Sequence, residues 1–432
     1  MNKLEKGDKK LLNAWAFYDW ANSVYTLVIT SSIFPLFYAS LCSKTNQNIP
    51  VFGTTISNTA LISFITAFAF LVVAIISPIL SGIADYIGNK KKFLQLFCYI
   101  GAFSCIGLYF FNTEHIYLSL FFYFFGLIGY WGSLVFYNSY LPDVAFKEQQ
   151  DGLSAKGYSM GYVGSVVLLL ICLFLVIGKE GAEAIHAMRI SFVLTGIWWI
   201  IFAQYTFYFL PEGNKKSEKV TKAIFFNGFK ELVKVKNQLF ENLTLKRYLI
   251  AFFVYSMAVQ TVMLVATYFG EKEVSWESDS QKTMGLIISI LVIQLVAVLG
   301  AYLTSKASHK FGNIPTLIVV NAIWVVICVC AYFVTLPIHF YVTAAFVGLV
   351  MGGIQALSRS TYSKFLPETD DTASFFSFYD VTEKIGIVIG MSIYGIIDQV
   401  TGSMRNAILF LGLFFVIGLV LLLRVPKKSA SN

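Results

Sequence analysis

The stretch MGLIISILVIQLVAVLGAYLTS, residues Met284–Ser305, contains no charged side chain. A hydrocarbon core of ~30 Å takes about 20 apolar residues of helix to cross. Backbone polar groups in lipid must also be satisfied within the helix itself. The stretch therefore predicts a transmembrane helix.

Eleven further stretches of the same kind fill almost the whole chain. In order, the predicted spans 1 to 12 are Trp15–Leu41, Asn58–Ala84, Phe93–Phe111, Ile116–Tyr140, Gly157–Gly178, Arg189–Leu210, Tyr248–Gly270, Met284–Ser305, Ile314–Thr335, Ile338–Tyr362, Ser374–Val400 and Met404–Leu423. The sequence thus predicts an all-α membrane protein with twelve transmembrane helices.

Composition and charge agree with a place in the lipid bilayer. The chain is 57% hydrophobic and 13% charged, whereas a soluble domain carries about 25% charged residues. Its net charge of +8 raises the question of nucleic acid, but 25 of the 32 Lys and Arg residues fall on one side when the N-terminus is placed in the cytoplasm. This asymmetry predicts cytoplasmic termini in a cell (inner) membrane and no nucleic-acid partner.

The segment after span 8 repeats the segment after span 2. Gly88–Asn89 recurs 224 positions later as Gly312–Asn313, and Leu141-Pro142-Asp143 recurs 225 positions later as Leu366-Pro367-Glu368. Two six-helix pseudo-repeats describe the major facilitator fold, in which the halves rock about a central site. We predict bundles at 1–210 and 248–432.

The joining segment 211–247 is basic and is predicted to lie in the cytoplasm. Within it, Lys222–Phe240 mixes apolar residues with lysines, which predicts an amphipathic helix on the anionic inner leaflet. A solvated linker with some helix is the alternative.

Several segments resemble signatures of known transporters. Asp85-Tyr86-Ile87-Gly88-Asn89-Lys90-Lys91 looks like the loop motif of the major facilitator superfamily, with Ser81 where its first Gly is usual. Five segments resemble the vacuole-effluxer-like branch, which includes autophagy-related amino-acid exporters and bacterial transporters. They are AFYDWANSVYT (Ala16–Thr26), FYNSYLPD (Phe136–Asp143), FVYSMAVQT (Phe253–Thr261), GGIQALSRS (Gly352–Ser360) and FFSFYDVTEK (Phe375–Lys384).

This resemblance covers nearly all of residues 14–425 and implies a bacterial member of the branch with amino acids as candidate solutes. The sequence departs from the branch at two places. Met257-Ala258 stands where Asp-Gly is frequent, and His309 stands at the Asp position of the second loop motif. The first departure argues against a mechanism that needs an acid on span 7.

The loop motif predicts a gate at the cytoplasmic end. Asp85 is placed to face the start of span 11 near residues 372–374, where free backbone N–H groups favour an anion. Gly88 allows the tight turn, and Lys90 and Lys91 are topology anchors. The alternative is that Asp85 is only a solvated loop acid.

Charged residues within the spans are candidates for proton coupling, because an unpaired charge in hydrocarbon costs at least ~3 kcal/mol. The predicted charge network consists of Asp19, Arg359, Asp380, Glu383 and Lys384. Lys384 has Asp380 at i−4, which suits an ion pair. Glu383 must then take another cation, for which Arg359 is the candidate, or be protonated. For Asp19, a structural cap or a pair with a cytoplasmic lysine is as good an interpretation as a role in transport. For the whole network, the alternative is a static charge cluster.

Polar side chains near mid-depth are candidates for contact with solute. They are Asn22, Tyr25, Tyr130, Tyr162, Gln260, Gln294 and Gln355. A polar, aromatic-lined cavity suits a small zwitterion or a partly apolar solute. Each residue taken singly can instead serve an interhelical hydrogen bond.

The sequence shows no catalytic motif and no metal-ligand spacing, so we predict no enzyme activity, no metal and no cofactor. It predicts a monomeric secondary active transporter that moves a small organic solute by alternating access, coupled to protons. A non-transporting receptor or scaffold on the same fold is one alternative. A facilitative or sodium-coupled transporter of another solute class is the other.

Overall fold

The structure, a computed structural model, describes residues 4–42, 48–51, 53–213 and 223–426. This part of the chain forms helices almost throughout, with one antiparallel hairpin between the first two spans. The hairpin strands are β1 (Asn48–Val51) and β2 (Thr54–Ser57), paired from Asn48 with Ser57 to Val51 with Thr54. Apolar periodicity missed this hairpin because its strands are only four residues long.

Fifteen α-helices lie in the described residues. They are α1 (Lys9–Asn22), α2 (Phe34–Cys42), α3 (Asn58–Ile87), α4 (Lys90–Gly107), α5 (Ile116–Ser139), α6 (Leu141–Val144), α7 (Lys147–Val176), α8 (Gly181–Phe209), α9 (Ala223–Glu241), α10 (Leu243–Glu273), α11 (Asp279–Phe311), α12 (Asn313–Tyr332), α13 (Pro337–Phe365), α14 (Thr372–Thr401) and α15 (Met404–Leu423). A π-helical segment, Tyr25–Ile33, joins α1 to α2, and a 3₁₀ turn, Leu108–Phe110, extends α4.

Eleven helical segments of the described chain are long and apolar enough to cross a membrane, when α1 through α2 is counted as one segment. They coincide with eleven of the twelve predicted spans. The remaining span, the eleventh, is α14, an unbroken helix of 30 residues, or about 45 Å at 1.5 Å per residue. Its first half carries Asp380, Glu383 and Lys384.

Several helices extend well beyond the predicted spans. Helix α7 begins at Lys147 rather than at Gly157, and α10 runs to Glu273 rather than to Gly270. Apolarity marks only the part of a helix that lies in hydrocarbon, and the charged ends continue into headgroups and water. The helices therefore extend beyond the predicted spans at these ends.

Two large apolar cores and one small cluster, Ala155 with Ala301 and Ala356, form in the described chain. One is built from residues between Leu11 and Leu210, with Ala373 added, and the other mainly from residues between Val235 and Val425. We refer below to α1–α8 as the N-terminal helices and to α10–α15 as the C-terminal helices. The division into bundles 1–210 and 248–432 stays a proposal.

Helix α9 lies in the joining segment and packs against α3, α10 and α14. Its Val235 and Leu239 are buried, and Lys234 Nζ lies 2.8 Å from Asp371 Oδ2 at the start of α14. Part of its apolar face therefore contacts protein. Residues 214–222 lie outside the described part, and a position on the membrane surface stays a prediction.

Glycines bring particular helices into close contact. A Cβ atom added to Gly352 of α13 would lie 2.1 Å from the Ala297 carbonyl oxygen of α11, and one added to Gly390 of α14 would lie 2.2 Å from Thr261 Oγ1 of α10. Small residues permit such packing between membrane helices. These contacts hold α11 against α13 and α10 against α14.

Candidate functional site

A buried guanidinium lies between the N-terminal and C-terminal helices. Arg359 of α13 is 1% exposed, and its Nη2 lies 3.3 Å from Oδ2 of Asp19 on α1. Its Nε donates to Ser154 Oγ at 2.9 Å, its Nη1 to Asn138 Oδ1 at 3.1 Å, and its Nη2 also to the Ser154 carbonyl at 3.1 Å. Tyr137 Oη donates to the same Asp19 oxygen at 2.8 Å. One C-terminal side chain thus binds three N-terminal helices.

Aromatic rings surround this ion pair. The Arg359 guanidinium carbon lies 4.8, 5.4 and 4.2 Å from the ring centroids of Trp15, Tyr137 and Tyr158. Gly157 leaves room for the Asp19 carboxylate, because a Cβ atom at position 157 would lie 2.4 Å from Asp19 Oδ2. The rings exclude water and attract the cation through their faces.

The observed partner of Arg359 corrects two sequence-based interpretations. These are Arg359 as the second cation for Glu383, and a cytoplasmic lysine as the partner of Asp19. In the structure Arg359 pairs with Asp19 instead. The two residues are 340 positions apart, so their pairing depends on how α1 and α13 pack and leaves no trace in local spacing.

A second charge cluster occupies α14. Lys384 is buried and pairs with Asp380 one turn earlier, as the i−4 spacing predicted. Its Nζ lies 3.7 Å from Glu383 Oε2 and 4.0 Å from the centroid of the Trp131 ring of α5. Gln260 Nε2 of α10 donates to Glu383 Oε1 at 2.7 Å. The five predicted network residues therefore form two groups, Asp19 with Arg359 and Asp380 with Glu383 and Lys384.

A small cavity adjoins Glu383. Its volume is ≈ 20 Å³, room for about one water-sized group. It is lined by Tyr158 of α7, by Phe252, Tyr255, Ser256, Val259 and Gln260 of α10, by Ile354, Gln355 and Ser358 of α13, and by Tyr379 and Glu383 of α14. Tyr158 also covers the Arg359 guanidinium, so one ring links the two charge groups.

The predicted solute-contact residues do not all meet at this cavity. Gln260 and Gln355 line it, and Tyr162 reaches it through a 2.7 Å hydrogen bond from its Oη to Gln355 Oε1. Tyr25 and Tyr130 instead stack on one another at 5.0 Å among the N-terminal helices.

Two further predicted residues also lie away from the cavity lining. Asn22 is fully buried near the end of α1, and Gln294 is half-buried on α11. Their contact with solute stays a prediction, as does that of all seven residues.

The cavity also contains residues that sequence reasoning missed. Tyr158, Tyr255 and Tyr379 lie on three different helices, and the chain holds 24 tyrosines. Tyr255 and Tyr379 lie in the signature segments Phe253–Thr261 and Phe375–Lys384, which could have drawn attention to them, whereas nothing in local sequence distinguishes Tyr158 from the other tyrosines. Ser358 was within reach, because it lies in GGIQALSRS beside Arg359; its Oγ lies 2.7 Å from Tyr255 Oη.

Asp85 contacts the start of α14, at the place that the loop motif indicated. Its Oδ1 accepts from the Ala373 N–H at 3.2 Å and its Oδ2 from the Ser374 N–H at 2.7 Å. Asp85 is 7% exposed. A carboxylate on free N–H groups at a helix start is a favourable arrangement. We call this contact the α3–α14 latch; its function as a gate stays a prediction.

The two lysines of the loop motif make contacts of their own. Lys90 pairs with Asp143, donates to Thr372 Oγ1 at 2.6 Å and lies over the Tyr140 ring. Lys91 Nζ donates to the Leu210 carbonyl at 2.9 Å. Gly88 closes α3 with φ of 71°, a left-handed conformation that favours glycine. Lys90 therefore connects the N-terminal helices to α14 directly.

A comparable contact that the sequence analysis missed joins α7 to α11, α12 and α13. Asp151 is 2% exposed. It accepts from Lys364 Nζ at 2.6 Å, Ser308 Oγ at 2.9 Å and Asn313 Nδ2 at 2.9 Å. We call it the α7–α13 latch. The second loop motif usually has an Asp at the position of His309. Its absence there was the signal that could have prompted a search for an acid on the facing helix.

Comparisons with known proteins agree with this geometry. Residues 7–432 match the family described as vacuole effluxer Atg22 like. The MFS-type transporter YxiO of Bacillus subtilis (strain 168) is 32% identical over 426 residues, with 97% of this chain and 96% of YxiO covered. Autophagy-related protein 22 of Vanderwaltozyma polyspora is 24% identical, with 87% and 80% covered.

Solved structures show the same fold. A single-residue variant of the E. coli fucose:proton symporter FucP superposes with a TM-score of 0.70 at 14% identity, covering 97% of this chain and 98% of that one. The proton:xylose symporter XylE gives 0.70 at 12% identity, with 97% and 96% covered. At such identities the likeness establishes the major facilitator fold alone. Together with the match along nearly the whole sequence, these findings show that the chain is a multi-pass membrane transporter of the major facilitator type and belongs to the Atg22-like vacuole effluxer family.

Proposed function

We propose that this protein is a proton-coupled secondary active transporter of small organic solutes, working by alternating access in the cell inner membrane. Amino acids are the first solutes to test, because the related family is that of the vacuole effluxers. The transporter acts as a monomer with both termini in the cytoplasm.

The observation that carries the proposal is Glu383. It is an acid inside the helix bundle, its side chain is 17% exposed at a cavity, and one amide donor holds it in place. A carboxyl whose surroundings change between desolvated and cation-paired gains and loses protons readily. The cavity is lined by one N-terminal helix and three C-terminal helices, where rocking of the helices alters those surroundings.

The two latches and the Arg359 pair support alternating access. Each joins an N-terminal helix to a C-terminal one through polar contacts. Such contacts can break as a group and re-form, which lets the bundle open at that end while the apolar core of each helix group stays packed.

The test is proton movement in liposomes that contain the purified protein and a pH-sensitive dye. We expect an imposed pH gradient to drive accumulation of at least one radiolabelled amino acid and the amino acid to move protons in return. Glu383→Gln should lose both. Glu148→Gln, which neutralises an exposed acid at the start of α7, should retain both.

Accumulation that ignores the pH gradient would contradict proton coupling and favour a sodium-coupled or facilitative transporter. No flux of any amino acid would contradict amino acids as the solute class. Asp19→Asn and Asp380→Asn distinguish Glu383 from the other buried acids, since loss of coupling in one of these variants alone would move the proton site there.

A further inference from the structure

We propose that Glu383 binds the primary ammonium group of a small amine with a short apolar tail, and that this ammonium and a proton compete for the same carboxylate. The transporter then exchanges amine for proton. The inference rests on the proposed function for its transport step, but the binding step stands on its own.

Charge balance requires a cation at this place. Asp380 and Glu383 face a single lysine, Lys384, so the cluster carries a net charge of −1 inside the bundle when both acids are ionised. Asp380 is 5% exposed, and its Oδ2 has no hydrogen-bond partner among the described residues. A buried net charge is costly, so the cluster favours uptake of one positive charge. A proton or an ammonium group supplies it.

Glu383 has one oxygen available for that cation. Its Oε1 is held by the Gln260 amide at 2.7 Å, whereas its Oε2 lies 3.7 Å from Lys384 Nζ, beyond hydrogen-bond distance. Lys384 is directed to Asp380 and the Trp131 ring instead. An N–H donor in the cavity therefore finds an acceptor already in place.

The walls of the cavity suit a cation with an apolar tail. The rings of Tyr158, Phe252, Tyr255 and Tyr379 line it, and those of Phe252 and Tyr379 stack at 4.2 Å. Aromatic faces attract cations. Val259 and Ile354 add aliphatic surface for the tail.

The N–H groups select the kind of ammonium. A –NH₃⁺ group can donate a hydrogen bond to a Glu383 oxygen, whereas a trimethylammonium group has no N–H to donate. A carboxylate on the solute is not needed for this contact, because the nearby guanidinium of Arg359 is already paired with Asp19.

Competition follows from the single carboxylate. When R–NH₃⁺ enters, it forms an ion pair with Glu383, and the proton that the carboxyl held leaves to the solvent that the cavity then faces. The charged or titratable groups that bear on Glu383 are Lys384, Asp380 and Tyr379 of its own helix, Tyr255 of α10, Tyr158 of α7, Tyr130 of α5 and, behind Tyr158, Arg359 of α13. Amine and proton therefore compete for Glu383, the carboxylate that lines the cavity.

The experiment is calorimetric titration of the purified protein with n-butylamine in two buffers of different ionisation enthalpy. We expect protons to be released when the amine binds at acidic pH, and the affinity for the amine to fall as the pH is lowered. Neither n-butanol nor butyltrimethylammonium should bind. These measurements use the unaltered protein, so they do not depend on the folding of a variant.

Glu383→Gln tests the residue itself. Its amide oxygen can still accept from Gln260, so the fold should persist, and n-butylamine affinity should fall at least about tenfold. Glu148→Gln should bind like the unaltered protein. Affinity that does not change with pH, equal binding of butyltrimethylammonium, or full binding by Glu383→Gln would each overturn the proposal.

The binding assay and the liposome assay distinguish the two proposals. Amine binding with proton release but no gradient-driven flux would leave this site standing and reject the transport mechanism. Gradient-driven flux of amino acids without amine binding would do the reverse. If both hold, amine-for-amine exchange in liposomes should also be lost in Glu383→Gln.

Discussion

At the scale of single residues, the ion pair between Arg359 and Asp19 joins the N-terminal helices to the C-terminal helices. Both side chains are almost fully buried, and the guanidinium makes four hydrogen bonds. A buried pair need not add net stability, but removing one partner leaves the other charge buried alone.

We therefore expect Arg359→Ala to destabilise the folded protein by about 3–5 kcal/mol, because Asp19 would be left without its cation. The measurement is the apparent melting temperature in detergent. The double variant Asp19→Asn with Arg359→Met removes both charges and should recover much of the loss. If the double variant were as unstable as Arg359→Ala, packing rather than charge would explain the effect.

At the scale of helices, the latches tie helix ends together across the bundle. In the α3–α14 latch a carboxylate accepts from two backbone N–H groups at the start of α14. Hydrogen bonds to a charged group each contribute about 1.5–3 kcal/mol. Loss of the Asp85 charge should therefore increase the fraction of open molecules without unfolding either core.

Asp85→Asn tests this latch. We expect a roughly tenfold faster reaction of a maleimide with a cysteine placed at Ser377, a buried residue one turn into α14, in a background without other cysteines. The melting temperature should change little. An unchanged labelling rate would reduce Asp85 to a structural cap of α14.

Asp151→Asn tests the α7–α13 latch in the same way. It leaves Lys364 without its carboxylate, so we expect faster labelling of a cysteine at Ser305 on α11. If the two latches restrain one opening motion, the increase in labelling rate in the double variant of Asp85 and Asp151 should exceed the sum of the increases in the two single variants. Simple additivity would instead indicate two independent local openings.

How much the sequence could predict depends on the range of the interaction. All twelve spans are helices because apolarity along a span is a local property, and the Lys384–Asp380 pair follows from spacing on one helix. The Asp19 partner, the cavity tyrosines and Asp151 each depend on contacts between distant helices. Charge and residue type alone cannot choose among such partners.

At the scale of the whole molecule, the distribution of basic residues predicts the orientation in the membrane. In a cysteine-free background, we expect a membrane-impermeant maleimide added to intact cells to label a cysteine at exposed Ser275 and not one at exposed Glu368. Permeabilised cells should label both. The opposite pattern would invert the predicted topology.

The two latches and the Arg359 pair all have their carboxylate on the same helix group. In all three the carboxylate belongs to the N-terminal helices, as Asp19, Asp85 and Asp151, and at least one donor to it belongs to the C-terminal helices. With His309 in place of an acid, the reciprocal arrangement is missing among the described residues. The two helix groups therefore meet with carboxylates on one side and donors to them on the other. Because these carboxylates are buried, salt in the surrounding solution should change only slightly how often the bundle opens at that end.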